Sequence, residues 1–585
     1  MRNGEQKMKK WMAGCLALVM LFTACTVFAE EAEGSKPVTA ERTEVVFYMG
    51  DAESAVASPL CLLNGVEDLP YVRSDDLSAL LTLIYQTSLA DSGYALTAEA
   101  EPDLHTLTLR RENGAYMEID FAHNEIVFND YDRFLHDSSP SSLVEMLYTG
   151  GIRVEDEPLL FMAFPDQSFD RTGSHLFLLL DDYSIDLPEA DGYGYVPLQL
   201  ISDLLIAPVV SLNLFYNGQA MFLANGGLFG GEDGRTPLGE LYYSAKPRTR
   251  SEELAEYGYH ELCLVLDCLY GLKEIHDIRR FDQFLWQTGL DVGLRDLNPA
   301  EADNALAKLL NYYLDDQHSS FYDYSWMTGN SEDDIVLGPS AVRYDANLEV
   351  YAAARSKYLG ERPDAYTEVG NTAYITFDSF TSSGWGDYYE RENVPEEEED
   401  TIDLIIRAHR EITRKKSPIE NVVIDLTCNG GGSVDAAVFA LCWLLGDASL
   451  CITDMASGAV SNVFYRADVN LDGRYDEKDT IGDRNVFCLI TPASFSCGNI
   501  LPAMLKDLPD ATLVGKTSGG GSCVVQPLST AWGTVFQISG HYRISRFQNG
   551  VSYDTDRGIE PDVYLASPES FYDREALTEY LNALR

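Results

Sequence analysis

Ser496 stands where a serine hydroxyl can act as a nucleophile. An apolar run at 486–491 and a short turn precede it, and Cys497 begins a helical pattern. A serine at such a strand–turn–helix junction projects its hydroxyl above the sheet, with the helix N-terminus behind it. The helix dipole and the N–H of Cys497 would then stabilise an oxyanion. The alternative is that Ser496 only caps the helix, as serines at this position commonly do.

A second turn suited to chemistry is the glycine triplet at 430–432. The buried strand pattern at 422–426 runs into it, and a helical pattern follows Ser433. Glycines let backbone N–H groups point into a cleft without a Cβ atom in the way, as an oxyanion hole or a phosphate cradle requires. The triplet lacks the Lys-Ser/Thr ending of a phosphate-binding loop, so nucleotide binding is disfavoured.

Further blocks complete an ordered set of motifs. A Gly-rich turn lies at 517–522, the sequence Arg-Gly-Ile-Glu-Pro-Asp lies at 557–562, and Tyr374 lies on the first strand of the core. In this order and spacing, the blocks resemble the tail-specific or C-terminal processing protease family of serine peptidases, over about residues 251–566. The resemblance implies an α/β core of the ClpP/crotonase type with Ser496 as the nucleophile. It also implies that the N–H groups of Cys497 and of Gly430 or Gly431 hold the oxyanion.

The resemblance is incomplete at the general base. In the Ser/Lys branch of the family a lysine follows the Gly-rich turn, but Gly521 stands there and Lys516 lies five residues too early. Histidine is the natural substitute because its pKa lies near neutrality. His318, in the segment Asp-Asp-Gln-His-Ser at 315–319, resembles the general base of the tricorn-like, lysine-less branch. We predict His318 as the base, with His541 in reserve and His409 as a structural residue.

Glu560 matches an acidic position that, in the tricorn-like branch, orients the histidine or the site. Asp554 and Asp556 are alternatives, and a solvated acidic turn before Pro561 is equally compatible with the sequence. Between His318 and the first core strand there are too few residues for the family's peptide-binding PDZ module. Substrate capture is therefore predicted to differ, with the N-terminal modules as candidates.

The segment 468–479 has the spacing of a calcium-binding loop. Oxygen ligands occupy the first, third, fifth, ninth and twelfth positions, with glycine at the sixth and a main-chain carbonyl at the seventh, as in EF-hands. The predicted ligands are Asp468, Asn470, Asp472, Arg474 through its carbonyl, Asp476 and Asp479. Aspartate at the twelfth position resembles dockerin loops. We predict structural Ca²⁺ and no cofactor for catalysis; the alternative is an acidic surface loop.

Composition limits the possible partners. Of the 585 residues, 45% are hydrophobic and 23% are charged, which excludes global disorder and a multi-span membrane protein. The 93 Asp and Glu residues against 42 Lys and Arg residues give a net charge of -51. This charge repels phosphate backbones and anionic membranes. We therefore expect a protein or peptide substrate and no nucleic acid.

The N-terminus has the pattern of an export signal, with basic residues followed by an uncharged apolar run to Ala29. Val-Phe-Ala at 27–29 resembles a signal peptidase site, whereas Leu-Phe-Thr-Ala-Cys at 21–25 resembles a bacterial lipobox that would place a lipid on Cys25. An uncleaved anchor is less favoured because the run is at the short limit of the ~20 residues that a span needs. We predict either a secreted protein or a cell-surface lipoprotein. In the second case the N-terminal lipid anchor is the only contact with the membrane.

The chain is predicted to be a multidomain α+β protein. After a signal peptide at 1–29, a weak internal repeat indicates small α+β modules at 30–150 and 151–245, which loosely resemble copper amine oxidase N-terminal-type modules. Apolar residues at helical spacing indicate a helical subdomain at 251–330. Alternating strand and helix patterns indicate a protease-like α/β domain at 366–575, with the calcium loop inserted at 466–482.

These features predict an exported serine endopeptidase that works through an acyl-enzyme. The main alternative is a catalytically weak cell-surface protein that binds peptides or proteins on a protease-like core, and the missing lysine is its best support. Cysteine chemistry at Cys497 is a third hypothesis.

Overall fold

The computed structural model describes residues 37–88, 96–101, 105–135, 151–154, 157–160, 162–231, 234–329, 335–382, 388, 400–548 and 551–584. The predicted signal peptide and both cleavage patterns lie outside the described residues, as do residues 396–399 of an acidic run (396–400) whose composition is typical of a solvated loop. Within the described residues, no helix has both the length and the apolar composition that crossing a membrane requires.

The N-terminal part is built from short strands and a few helices. Its strands are β1 (Ala40–Met49), β2 (Ala55–Leu63), β3 (Pro70–Arg73), β4 (Thr97–Glu101), β5 (Thr106–Arg110), β6 (Tyr116–Asp120), β7 (Glu125–Phe128), β8 (Gly151–Val154), β9 (Glu157–Leu160), β10 (Met162–Arg171), β11 (Leu176–Leu179), β12 (Glu189–Ala190), β13 (Tyr193–Pro197), β14 (Asn213–Tyr216), β15 (Ala220–Ala224), β16 (Gly230–Gly231) and β17 (Gly234–Arg235). Its helices are α1 (Ser74–Ser88), α2 (Tyr131–Leu135), α3 (Leu198–Ile201), which continues through the π-helical turn Ser202–Ile206 into α4 (Ala207–Val210), α5 (Gly226–Phe229) and α6 (Pro237–Tyr242).

The two segments predicted as separate modules contribute strands to one sheet. Its order is β12-β13-β3-β2-β1-β15-β14, so β13 and β15 from the second segment lie beside β3 and β1 from the first. A second sheet, in the order β11-β7-β6-β5-β4, also takes one strand from the second segment. The apolar residues of both segments form one core, to which Phe47, Leu109 and Phe222 belong. Two separate modules would leave these faces exposed to water.

The predicted helical segment consists of α7 (Glu252–Leu269), α8 (Phe281–Thr288), α9 (Leu290–Leu294) and α10 (Pro299–Lys308), which continues as the π-helical turn Leu309–Leu314. Helix α10 begins where the sequence Asn298-Pro299 favours a helix start: the Asn298 side chain accepts the N–H of Ala300, and Pro299 is the first helical residue. The segment packs on the core of the N-terminal part.

The C-terminal part contains strands and helices in alternation. They are β18 (Ser320–Asp323), α11 (Pro339–Leu359), β19 (Tyr366–Val369), β20 (Thr372–Thr376), α12 (Thr401–Thr413), β21 (Asn421–Asp425), α13 (Val434–Leu445), β22 (Asp447–Asp454), β23 (Val460–Ala467), β24 (Asn485–Ile490), α14 (Cys497–Leu505), β25 (Ala511–Gly515), β26 (Cys523–Ser529), β27 (Val535–Gln548), β28 (Val551–Tyr553), β29 (Val563–Tyr564) and α15 (Arg574–Ala583).

Two sheets organise this part. The first has the order β19-β20-β21-β24-β25-β29 and is parallel from β20 onwards, as the alternating sequence pattern predicts. The carboxyl ends of β21 and β24 therefore lie side by side, and these ends lead into the glycine triplet and the Ser496 turn. The second sheet, in the order β10-β23-β22-β27-β18, includes β10 from the N-terminal part, and β26 and β28 also pair with β27. β18, which begins just after His318, is an edge strand of this second sheet.

Candidate active site

Ser496 lies in a strained turn between β24 and α14. Its φ is 55 and its ψ is -122, a conformation that residues other than glycine rarely adopt and that clusters at functional sites. The turn is held because the N–H of Ser496 donates to Gly520 and its carbonyl accepts from Asn499 and Ile500, each at 2.8 Å. The side chain makes no capping hydrogen bond. Helix capping therefore does not explain why a serine stands here.

Ser496 faces a cleft of about 590 Å³. His318 and Phe495 line the same cleft, as do Gly430 and Gly432 of the glycine triplet. The fold thus brings the predicted nucleophile, base and oxyanion loop to one cavity, although His318 and Ser496 are far apart in the chain.

The imidazole of His318 is 6% exposed, and its ring centroid lies 4.8 Å from that of Phe495. Both His318 and Ser496 are described, and no hydrogen bond joins them, as is common in enzymes without substrate. Burial lowers the pKa of His318, whereas the charges of Asp316 and Asp556 oppose this effect. A lowered pKa keeps the imidazole neutral at pH 7, which is the state that accepts a proton.

A network of hydrogen bonds holds the main chain around His318. The Asp316 carboxylate accepts the N–H groups of His318 at 3.1 Å and Ser319 at 2.6 Å, and it also accepts the hydroxyl of Tyr270 at 2.7 Å. On the other side, the Gln537 amide donates to the carbonyl of His318 at 2.7 Å. Tyr270 ends α7 and Gln537 lies on β27, so the base is held between the helical segment and the second sheet. Gln537 was not predicted as a site residue, because nothing near it in the sequence indicates that it contacts His318.

The position of Gly521 gives a physical reason for the missing lysine. Its φ is 85, and a Cβ atom there would lie 2.7 Å from the Phe495 ring and 3.2 Å from Cε1 of His318. A side chain at this position would force the Phe495 ring to move and would crowd His318, and the positive φ is strained for any residue other than glycine. A lysine at 521 is therefore disfavoured while Phe495 and His318 keep these positions.

Of the two predicted oxyanion donors, the N–H of Cys497 has no acceptor among the described residues, whereas the N–H of Gly431 has one. The N–H groups of Gly498, Asn499 and Ile500 donate to carbonyls of the Ser496 turn, and among the described residues none accepts the N–H of Cys497. The N–H of Gly431, by contrast, donates to the side chain of Asn429 at 3.0 Å.

Asn429 is fully buried and its amide nitrogen donates to the carbonyl of Phe377, so its side chain is fixed on both sides. The N–H of Gly430 is also occupied, because it donates to Asp378 at 3.1 Å. The Gly431 carbonyl accepts from Phe380 at 2.7 Å. In a trans peptide the next N–H, that of Gly432, points the opposite way.

The peptide between Gly431 and Gly432 passes close to the nucleophile. A Cβ atom on Gly431 would lie 2.5 Å from Cβ of Ser496, so a larger residue at 431 would displace the serine. No described group accepts the N–H of Gly432. This N–H, together with that of Cys497, is suited to bind an oxyanion formed at Ser496.

Glu560 lies apart from the cleft. Its side chain is exposed, and its carbonyl accepts Nζ of Lys506 at 3.0 Å. Asp556 is the acidic residue of this loop whose charge acts on His318. The Asp556 carboxylate accepts the N–H and hydroxyl of Ser522, each at 3.0 Å, next to Gly521. The chain turns between 556 and 560, and this turn brings Asp556 to the histidine and leaves Glu560 in solvent.

The other candidate side chains do not reach the nucleophile as reactive groups. The Cys497 thiol is buried, donates to the carbonyl of Gly432 at 3.1 Å, and has its pKa raised by burial to about 12, so it stays protonated. His541 is buried beside Tyr542 and does not line the cleft. His409 accepts the indole N–H of Trp443, and burial lowers its pKa to about 4.

Carboxylates of the predicted calcium loop accept main-chain N–H groups of the same loop. Asp468 accepts the N–H groups of Asp472 and Gly473 at 3.0 and 2.7 Å, and Asp479 accepts those of Val469 at 2.9 Å and Asp476 at 2.8 Å. In the part of the chain that the structure describes, no group of three or more His, Cys, Asp or Glu side chains is placed to hold a metal ion. This arrangement does not itself assemble a metal site, and calcium binding stays a prediction of the sequence.

Comparison with known proteins places this site in a family. Residues 371–565 match the model of peptidase family S41. No curated protein sequence matches the chain. Similar solved structures include the photosystem II D1 C-terminal processing protease (19% identity, 36% of this chain and 46% of that chain, TM-score 0.26), mature CPAF (14%, 57% and 96%, 0.35) and the tricorn protease (9%, 94% and 73%, 0.35).

Identities and TM-scores this low carry no argument of their own, so the assignment depends on the family match. That match confirms the resemblance inferred from the ordered motifs, and its range includes the glycine triplet, Ser496 and the Gly-rich turn. Residues 371–565 therefore form a peptidase family S41 domain, and the protein is a serine-type peptidase.

Proposed function

We propose that the protein is an exported serine endopeptidase that cleaves peptide bonds in proteins or peptides through an acyl-enzyme. The strained turn of Ser496, whose hydroxyl caps no helix and faces a cleft shared with a neutral histidine, is the observation that carries the proposal. Export is proposed from the charge and hydropathy pattern of residues 1–29, with lipidation of Cys25 as the anchored variant of the same route.

In the proposed mechanism, His318 accepts the proton of Ser496 as Oγ attacks the substrate carbonyl carbon. The N–H groups of Cys497 and Gly432 stabilise the oxyanion. The imidazolium then protonates the leaving amine as the C–N bond breaks. Water, deprotonated by His318, attacks the resulting ester and releases the second product. The negative charges of Asp316 and Asp556 favour the imidazolium that forms in each half of the cycle.

Binding without catalysis is the second candidate function. The observation that favours it is the lack of a hydrogen bond between Ser496 and His318, two described residues that share the cleft. A protein of this kind would hold peptides in the cleft and leave them intact.

Labelling with a fluorophosphonate, followed by intact mass measurement and peptide mapping, separates the two candidates. We expect one label on Ser496, no label on the Ser496→Ala variant, and labelling slowed by at least about 100-fold in His318→Gln. The matched control is His123→Gln, since the side chain of His123 is 73% exposed and lies outside the cleft. Unlabelled wild-type protein with a native circular dichroism spectrum, together with bound and intact peptide, would establish the binding function instead.

A further inference from the structure

Three large apolar side chains form an exposed wall in the cleft that contains Ser496. Tyr322, Leu337 and Val525 are 54%, 45% and 41% exposed, and all three line this cleft. We call them the apolar wall. They come from β18, from the segment before α11 and from β26. Apolar side chains exposed together on a concave surface gain about 25 cal/mol for each Å² that a ligand covers.

One residue of the apolar wall, Tyr322, is fixed relative to the proposed base. The hydroxyl of Tyr322 donates to the side-chain oxygen of Gln537, and the amide nitrogen of Gln537 donates to the carbonyl of His318 at 2.7 Å. One side chain thus positions both Tyr322 and the main chain of His318. A substrate side chain that contacts the wall lies in the same cleft as Ser496.

The charges in the cleft are those of acids. Asp315 and Asp345 are the carboxylates that line it, and neither lysine nor arginine is among the described lining residues. The carboxylate of Asp315 already accepts the N–H groups of Ser340 and Ala341, at 2.6 and 3.0 Å, at the start of α11. Asp345 is exposed on the same helix. A carboxylate on a substrate would be repelled by these acids, and the described lining residues offer it no lysine or arginine.

We propose that the cleft selects peptide segments that carry a large apolar side chain next to the cleaved bond and no acidic side chain beside it. The same charges disfavour a free C-terminal carboxylate in the cleft. This proposal rests on the proposed function and names its substrate class.

Quenched fluorescent peptides of one length, with three central residues that are all Leu, all Lys or all Glu, test the selection. We expect kcat/KM to be at least about tenfold higher for the Leu peptide than for the Glu peptide, with the Lys peptide between them. Amidation of each peptide's C-terminus, which lies far from the three central residues, should leave kcat/KM unchanged. Values for Leu and Glu within about twofold would overturn the proposal, and so would a labelled enzyme that cleaves none of the peptides.

Variants of the apolar wall identify the residues responsible. Leu337→Asp and Val525→Asp should each lower kcat/KM for the Leu peptide by about tenfold and narrow its advantage over the Glu peptide; Leu337→Ser should do so more weakly. Val342→Asp is the matched control, because Val342 is 54% exposed on α11 and does not line the cleft. Wall variants that behave like this control would refute the assignment.

Fluorophosphonate labelling keeps this failure distinct from failure of the proposed function. The small probe does not need the wall, so Ser496 should still be labelled in the wall variants, and Leu337→Ser, which adds no charge to the cleft, is the variant whose rate is compared with wild type. Loss of labelling in wild-type protein would remove the proposed function and the selection with it. Intact labelling with unchanged peptide selection would remove the selection alone.

Discussion

Removing the guanidinium of Arg574 should destabilise the S41 domain far more than removing an exposed arginine. Arg574, the first residue of α15, lies 2.5 Å from the Asp425 carboxylate, and their side chains are 8% and 0% exposed. Its guanidinium carbon also lies 4.1 Å from the centre of the Tyr374 ring. The Asp425 carboxylate accepts the hydroxyl of Thr427 at 2.7 Å on its other oxygen. The pair joins the C-terminal helix to the strand that leads into the glycine triplet.

The magnitude follows from burial. In Arg574→Met the Asp425 carboxylate would stay in the core without its cation, a loss that costs about 3–5 kcal/mol. Both groups are almost inaccessible to water, so solvent screening reduces this figure little. The matched control is Arg414→Met, whose bidentate partner Glu368 and own side chain are 25% and 36% exposed. Exposed pairs of this kind contribute far less to stability, because water and salt screen them.

Urea unfolding followed by tryptophan fluorescence measures the difference, since Trp443 is buried in the same domain. The double variant Asp425→Asn/Arg574→Met should recover part of the loss, because it leaves no unpaired charge. If Arg574→Met loses no more free energy of unfolding than Arg414→Met, the argument from charge burial is wrong.

Three other predictions concern pH and calcium. Burial lowers the pKa of His318, so the rate of fluorophosphonate labelling should stay high below pH 6.5. Asp556→Asn should move the acid limb of the rate–pH profile to still lower pH, because a charge that raises this pKa is lost. Glu560→Gln, at an exposed position, should leave this limb in place. Burial raises the pKa values of Asp203 and of Glu261, two buried carboxyl groups that share a hydrogen bond, so the folded state keeps protons on this pair to higher pH than the unfolded state. Stability should therefore fall as the pH rises above the ordinary carboxyl range, and Asp203→Asn, which removes one of the two acids, should raise the melting temperature at pH 8 but not at pH 4. Calcium at 100 times its Kd should stabilise the protein by about 2.7 kcal/mol, seen as a higher melting temperature that Asp472→Ala abolishes; an unchanged melting temperature would contradict the calcium prediction.

Local sequence patterns were sufficient for the elements of the S41 domain. Apolar runs that end in turns placed β21 and β24 to within one residue, and Ser433 caps α13 through its side chain as the helical pattern after it implies. These features depend on neighbours in the chain, since strand and helix periods and caps are local. The turn that strains Ser496 is likewise marked by its strand, its small residues and its helix.

Contacts between segments that are far apart in the chain determined the oxyanion donors, the acid near the histidine and the pairing of the N-terminal strands. The sequence offered three glycine N–H groups, and Asn429 and Asp378 occupy those of Gly431 and Gly430, leaving Gly432. The sequence also favoured Glu560 as the acid near the histidine, and the fold of the loop brings Asp556 there instead. Pairing across the sheet joined the two predicted N-terminal modules.

The composition and order of the residues determined which groups this protein has for chemistry. Which of them share a cleft, and which backbone N–H groups remain without a partner, was decided by packing between segments up to hundreds of residues apart. The physical reason is that hydrogen bonding and burial are satisfied in three dimensions, so a donor's availability depends on acceptors that its own segment does not contain.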